Sequence, residues 1–250
     1  MLRTVSKRSF GFVALMSWFL PASAMAQGDS FASQPIITIV ALGLLTLLPF
    51  AFMTMTSFVK IAVVFSILRN ALGTGQVPSG MIITALALIL SLYVMAPVGE
   101  QVALAAGPSV AQVSSSLKAG NVDTLFDVFE RAKEPLRSFL DKNAGIREKS
   151  LFFDLARRVR SPSSRGDVQP NDLLVLLPSF LITELTEAFQ IGFLVFIPFL
   201  IVDMVVANVL LALGMHMLSP TTVSLPFKLL LFVLVDGWYL LSRALVLGYQ

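Results

Sequence analysis

Val223–Tyr249 reads VSLPFKLLLFVLVDGWYLLSRALVLGY, a run long enough to cross a bilayer that nevertheless holds Lys228, Asp236 and Arg243. A charge at membrane depth costs at least about 2.5–3.5 kcal/mol on insertion scales. Three charges in one apolar run therefore call for partners, and the run reads as a helix packed against other helices, not as a simple anchor. The whole chain has the same character. Of its 250 residues 56% are hydrophobic and only 13% charged, about half the charge of an ordinary soluble domain. Apolar runs near or above about 18 residues recur and the mean hydropathy is +0.83, so the fold class is an all-α integral membrane protein. There is no cysteine, which excludes disulfides, a thiol nucleophile and thiolate metal sites.

The first residues read as a secretory signal peptide. Arg3, Lys7 and Arg8 form a basic start, Phe10–Leu20 is a short apolar core, and Ala24-Met25-Ala26 is a small-residue cleavage site. Cleavage after Ala26 removes three positive charges and no negative one, leaving fifteen of each sign. The basic character of the full chain therefore says nothing about nucleic acid, and no nucleic-acid partner is expected. The signal implies a bacterial-type inner membrane with the mature N-terminus outside the cytoplasm.

Four apolar zones follow, Ile36–Leu68, Met81–Val98, Leu173–Leu213 and Val223–Tyr249. They divide the chain into a first helical hairpin (27–98), a charged helical insert (99–172) and a second hairpin (173–250). Pro97–Asp172 holds 11 Lys/Arg and 10 Asp/Glu, interleaved in sign as on a solvated face. Asp123–Leu140 and Glu148–Val159 have helical apolar spacing, and Ser161–Pro170 reads as a flexible loop. With the N-terminus outside, the connector Asn70–Gly80 is cytoplasmic, which puts Lys60 and Arg69 on the positive-inside face and the insert on the periplasmic side. The 41 residues of the third zone would make a helix of about 60 Å, twice the roughly 30 Å hydrocarbon core. That zone is expected to start at Pro178 and to bend at Gly192 and Pro198, with Pro49 interrupting the first zone. Bent helices are tolerated where protein surrounds them, so much of the chain is expected to face other chains.

The charges in the apolar zones are Lys60, Arg69, Glu184, Glu187, Asp203, Lys228, Asp236 and Arg243. Glu184 and Glu187 share a helix face and repel each other unless a cation lies between them. Lys228 and Asp236 are about 12 Å apart along a helix and cannot pair directly. Two functions fit such charges. One is interhelix or intersubunit pairing that fixes an assembly. The other is a secondary transporter or proton-coupled channel with a carboxylate relay through Glu184, Glu187 and Asp203. No internal repeat of the kind transporters show is apparent. His216, the one histidine, lies between Met215 and Met217 in a loop, a poor metal site but a soft, repackable lining. No phosphate-binding loop, nucleophile elbow or zincin motif is present, so neither an enzyme nor a cofactor or metal site is expected.

Three segments resemble the type III secretion export-gate family, whose members are FliP in flagella and SctR in injectisomes. The first is Thr56–Ile61 with Ser66–Thr74. The others are ELTEAFQIGFLVFIPFLIVDMVVANVLLALGM over Glu184–Met215 and SPTTVSLPFKLLLFVLVDGW over Ser219–Trp238. The resemblance implies bent helical hairpins in a ring-like pentamer, joined by FliQ/SctS-like and FliR/SctT-like membrane proteins, through which unfolded proteins are exported. It implies that Met215, His216 and Met217 form the pore gasket, with His216 in place of a usual methionine and closure open to pH control. It implies intersubunit or interhelix pairing for Lys60, Arg69, Glu184, Glu187, Asp203, Lys228 and Asp236. Thr186 stands where the family often has lysine, so a neighbouring chain is expected to supply the cation for the two glutamates. The signal peptide is more typical of the flagellar branch. Ser33–Ile36, Met95–Gly99 and Ser219-Pro220 look more like the injectisome branch, which is favoured.

Overall fold

The computed structural model describes residues 49–75, 77–118 and 123–249, with Gly43, Thr46 and Leu47 before them. The signal-peptide residues 1–26 lie outside the described set. From Pro49 onward the chain forms one compact unit. Among the described residues it is helical and has no strand. A short helical segment, Pro49–Met55, leads into α1 (Phe58–Leu72). Then come α2 (Gly80–Lys118), α3 (Asp123–Asn143), α4 (Ile146–Val159) and a 3₁₀ turn at Pro162–Asp167. The chain continues through α5 (Leu173–Ala212), α6 (Pro220–Leu234) and α7 (Gly237–Leu247). By length and composition Gly80–Ala105 and Leu173–Ala212 can each cross a membrane, and so can two bent pairs, Pro49–Met55 with α1 and α6 with α7.

The breaks do not fall where proline predicts. Pro49 is itself helical. The 79° turn comes at Thr56-Ser57 instead. There the Thr56 hydroxyl donates to Phe52 O at 2.7 Å and accepts the Phe58 N–H at 3.3 Å. Ser91 of α2 links Thr56 and Ser57 through buried hydroxyl bonds of 3.2 Å. Backbone groups freed by a bend need such partners when water is excluded. The helix α5 starts not at Pro178 but at Leu173, because Asp172 O accepts the Val175 and Leu176 N–H groups at 2.9 Å. It continues unbroken through Pro178, Gly192 and Pro198. The second bend, 59°, separates α6 from α7 at Asp236, which is left-handed at φ +55°. The Phe232 ring lies against Gly237, leaving no room for a Cβ there. The helix α2 runs past Val98 to Lys118, so the 98/99 boundary falls inside it, and the 161–170 loop contains the 3₁₀ turn.

Core packing follows helical spacing. Along α5, Leu176, Phe180, Glu184, Ala188 and Gly192 recur every four residues on the buried face. Along α1, Ile61, Val64, Phe65, Leu68 and Leu72 are buried in one core with Ala188 of that row. The two helices run side by side in the same direction, because Lys60 meets Glu184 and, further along both, Ile67 meets Gly192. A second core joins α2, α3 and α5 through Met95, Phe139, Leu140, Leu176 and Phe180, with Phe139 edge-on to Phe180 at 5.7 Å. The α3–α4 corner is tied to α5 by the Gly145 N–H, which donates to Thr183 Oγ1 at 2.9 Å. Outside it the insert carries exposed i,i+3 pairs such as Arg137–Glu134 at 3.0 Å, each worth at most about 1 kcal/mol.

The absent Cβ at Gly192 sets how closely α1 and α5 approach. Gly192→Ala drives a methyl into Ile67 and should cost about 1–3 kcal/mol by overpacking. Ile67→Ala in the same chain should recover most of that loss. Melting of the detergent-extracted protein checks both; a Gly192→Ala chain that melts like the parent would contradict the contact.

Candidate functional site

The charges of the apolar helices fall into two separate nodes. The first is built on Lys60, in the first turn of α1. Its side chain is buried, with Nζ 3.1 Å from Glu184 Oε1 and 2.6 Å from Glu187 Oε2. The two carboxylates thus share one ammonium, which removes the repulsion expected of i,i+3 acids. Glu184 is buried on the α5 core face, whereas Glu187 is 47% exposed. Tyr249 completes the node: its ring lies 4.2 Å from the Lys60 ammonium and its hydroxyl donates to Glu184 Oε2. Burial first, then the Glu184 carboxylate beside it, push the Tyr249 phenol up from its ordinary value, so it remains a donor. The cation for Glu184 and Glu187 therefore comes from this chain's own Lys60, not from a neighbouring chain. Thr186 points its hydroxyl back to Ile182 O instead.

The second node ties three helices together. Lys228 of α6 is buried, with Nζ 2.6 Å from Asp203 Oδ2 of α5 and 3.1 Å from Ala71 O in the last turn of α1. A cation at a helix C-terminus satisfies an orphan carbonyl and complements the helix dipole. Ser224, one turn before Lys228, donates to the other Asp203 oxygen. Gly73 follows with φ +73°, the left-handed end of α1 that glycine adopts without strain.

Asp236, Arg69 and Arg243 enter neither node. Asp236 and Arg243 are exposed on the α6–α7 corner and on α7, and neither makes an ion pair with a described residue. Arg69 is half-buried in the last turn of α1, and its Nε is buried without a hydrogen-bond partner. Met215, His216 and Met217 sit together between α5 and α6. The left-handed Gly214 (φ +72°) ends α5, and Met215 N–H reaches back to Leu210 O at 2.9 Å. Ser219 and Pro220 start α6 at once. The four residues Met215–Leu218 are thereby held outside both helices, and Met217 is 99% exposed. Among the described residues no group of three or more acidic or histidine side chains is placed to hold a metal.

The model of the FliP family matches residues 41–245, which include both nodes except Tyr249 and the whole loop. The chain belongs to the FliP family. It is 46% identical to the Yop proteins translocation protein R of Yersinia pestis over 84% of this chain and 94% of that one. To the hypersensitivity response secretion protein HrcR of Ralstonia nicotianae it is 41% identical, over 90% of this chain and all of the other. To the flagellar biosynthetic protein FliP of Pectobacterium carotovorum it is 42% identical over 92% and 89%.

In this FliP-family chain the three acids of a would-be relay do not form a path. Glu187 and Asp203 are 16 residues apart on α5, about 24 Å along the helix, and each is engaged by its own lysine. Spacing in sequence brought together Glu184 with Glu187 but could not join Lys60 to them, nor Lys228 to Asp203. Tyr249 was missed altogether. Its one sequence signal is a tyrosine at the end of an apolar run, where a buried phenol needs a partner.

Removing one member of a buried ionic node strands the other, at a cost of about 3–5 kcal/mol. Lys60→Met should therefore prevent recovery of folded protein. Adding Glu184→Gln and Glu187→Gln to the same chain should restore most of it. Detergent-solubilised yield and melting temperature give the comparison, and a Lys60→Met chain as stable as the parent would show that the node carries no weight.

Proposed function

We propose that this chain is a core pore subunit of a type III secretion export gate, passing unfolded proteins across the bacterial inner membrane. The observation that carries this is near-full-length similarity to secretion proteins: 94% of the Yop translocation protein R and all of HrcR are covered. The surface agrees. Phe189, Phe193, Leu194, Ile201, Met204 and Val205 of α5 are all more than half exposed. An apolar area of this extent fits burial against lipid or other chains. Asp236, Arg69 and Arg243 have no ion partner among the described residues, and the hydrocarbon core cannot provide one, which favours other chains as neighbours, Asp236 above all. These features favour a homo-oligomeric ring, a pentamer by family likeness, joined by FliQ/SctS-like and FliR/SctT-like proteins, with the insert on the periplasmic side. Identities of 40–46% to proteins named for translocation, hypersensitivity and virulence reach higher than the 40–42% to flagellar ones, which favours an injectisome. The reading is of a structural component without catalytic chemistry.

Co-expression with the two small partner proteins, followed by mild detergent extraction, tests the assembly. A large complex containing several copies of this chain is expected; a lone chain or dimer would overturn the gate. Lys228→Ala should reduce the recovered complex, because Asp203 and Ala71 O lose their shared donor. Normal recovery with lost ion flux would point to the transporter instead.

In a ring, the outward Met215–Met217 segments would converge and pack as a deformable seal. Gly replacement of Met215 and Met217 should raise ion leak through the closed complex. The imidazole of His216 is exposed and no described side chain pairs with it. A His216→Met chain should seal at least as well as the parent, and a variant that leaks more would show that the imidazole itself packs in the seal.

A further inference from the structure

Tyr249 does more than fill space. It follows α7, whose buried grip on the rest of the chain is slight: Gly237, Leu241 and Leu245 alone among its residues are buried. Its ring stacks on Phe139 of α3, with centroids 6.1 Å apart and planes 20° from parallel. The same ring covers the Lys60 ammonium of α1 at 4.2 Å, and the hydroxyl donates to Glu184 of α5. One side chain beyond α7 thus touches three helices of the two cores. Beside it opens a polar cavity of about 350 Å³. Ala144 and Gly145 of the α3–α4 corner line it, and so do Lys60, Glu184, Glu187 and Tyr249 of the node.

We infer that Tyr249 is a positioning residue that latches α7 across the Lys60–Glu184 pair where that pair borders the cavity. The reasoning is one of unmet donors and acceptors. With Tyr249 withdrawn, Glu184 Oε2 loses its donor in a buried place, and water from the cavity becomes the replacement. The half-exposed Glu187 already lies on that route. Latching and hydration of the node are therefore alternatives: α7 is docked when the phenol holds Glu184, and released when water does. This device belongs to the single chain and holds independently of whether the chain builds a gate.

The chain has no cysteine, so one introduced thiol reports without background. Ala144 is 7% exposed on the cavity wall, and Ala144→Cys places the thiol there with little added volume. Its labelling by a charged maleimide is followed in the detergent-extracted protein. Tyr249→Ala is expected to speed labelling about tenfold or more, as for loss of a hydrogen bond to a charged group. Tyr249→Phe keeps the ring over Lys60 and Phe139 but not the donor, and should speed it severalfold. A merely packing role is separated by coupling: in a Glu184→Gln background, Tyr249→Phe should add less than about twofold. A parental rate in Tyr249→Phe, or a Phe effect undiminished beside Glu184→Gln, overturns the latch. If Tyr249→Ala is not recovered folded, the Phe variant and its cycle decide the matter alone.

Discussion

Two lysines in apolar helices must be neutralised without water, and the fold is arranged around that requirement. Lys60 is held by Glu184 and Glu187, Lys228 by Asp203, in each case across helices. Both nodes fall on the same pair of elements. The helix α5 supplies the acids of both. The helix α1 supplies the cation of one and, through Ala71 O, an acceptor for the cation of the other. The helix α1 is thus clamped at its first and last turns, and Gly192 lets Ile67 seat between the clamps. Breaking a node would leave a buried charge uncompensated, which is why ionic pairs of modest net value can still dictate which helices are neighbours.

The two bends obey a related constraint. A break in a helix that lies in an apolar setting frees backbone groups, and something must occupy the space beside it. At Thr56-Ser57 the Thr56 hydroxyl accepts the Phe58 N–H, and Ser91 of α2 holds the Thr56 and Ser57 hydroxyls in place. At Asp236-Gly237 the Phe232 ring covers the glycine, with Trp238 edge-on to that ring at 5.2 Å. Pro178 was expected to start the third apolar zone and Pro198 to bend it, yet both lie within an uninterrupted α5. Proline removes one hydrogen bond from a helix wherever it sits, but a turn of tens of degrees also needs a neighbour shaped to receive it.

What the nodes do not consume is turned outward. The large apolar side chains along α5, the charges of Asp236 and Arg243, and the Met215–Met217 loop all lie on the surface of the single chain. The insert differs: its charges pair with one another over short spans and face water. One chain therefore presents a wet module and an apolar body whose outer face is incomplete alone, as expected of a subunit in a membrane assembly.

Local sequence was enough for anything that depends on neighbouring residues. Hydropathy over about 18 residues marks the apolar helices, helical spacing marks the two helices of the insert, and sign alternation marks its solvated character. The end of α5 and the start of α6 are likewise legible in Gly214, Ser219 and Pro220. The chain's resemblance to a secretion family was also readable, because long runs of ordered residues persist in it. The tertiary structure decided the rest. Lys60 and Glu184 are 124 residues apart, Tyr249 and Glu184 are 65 apart, and Asp203 and Lys228 lie on different helices. The run Val223–Tyr249 announced three charges in need of partners, and only folding showed that they differ. Lys228 is answered within the chain, while Asp236 and Arg243 face outward. Sequence shows that a charge in an apolar helix must be compensated; which helix compensates it depends on through-space distance, and that exists only once the helices are packed.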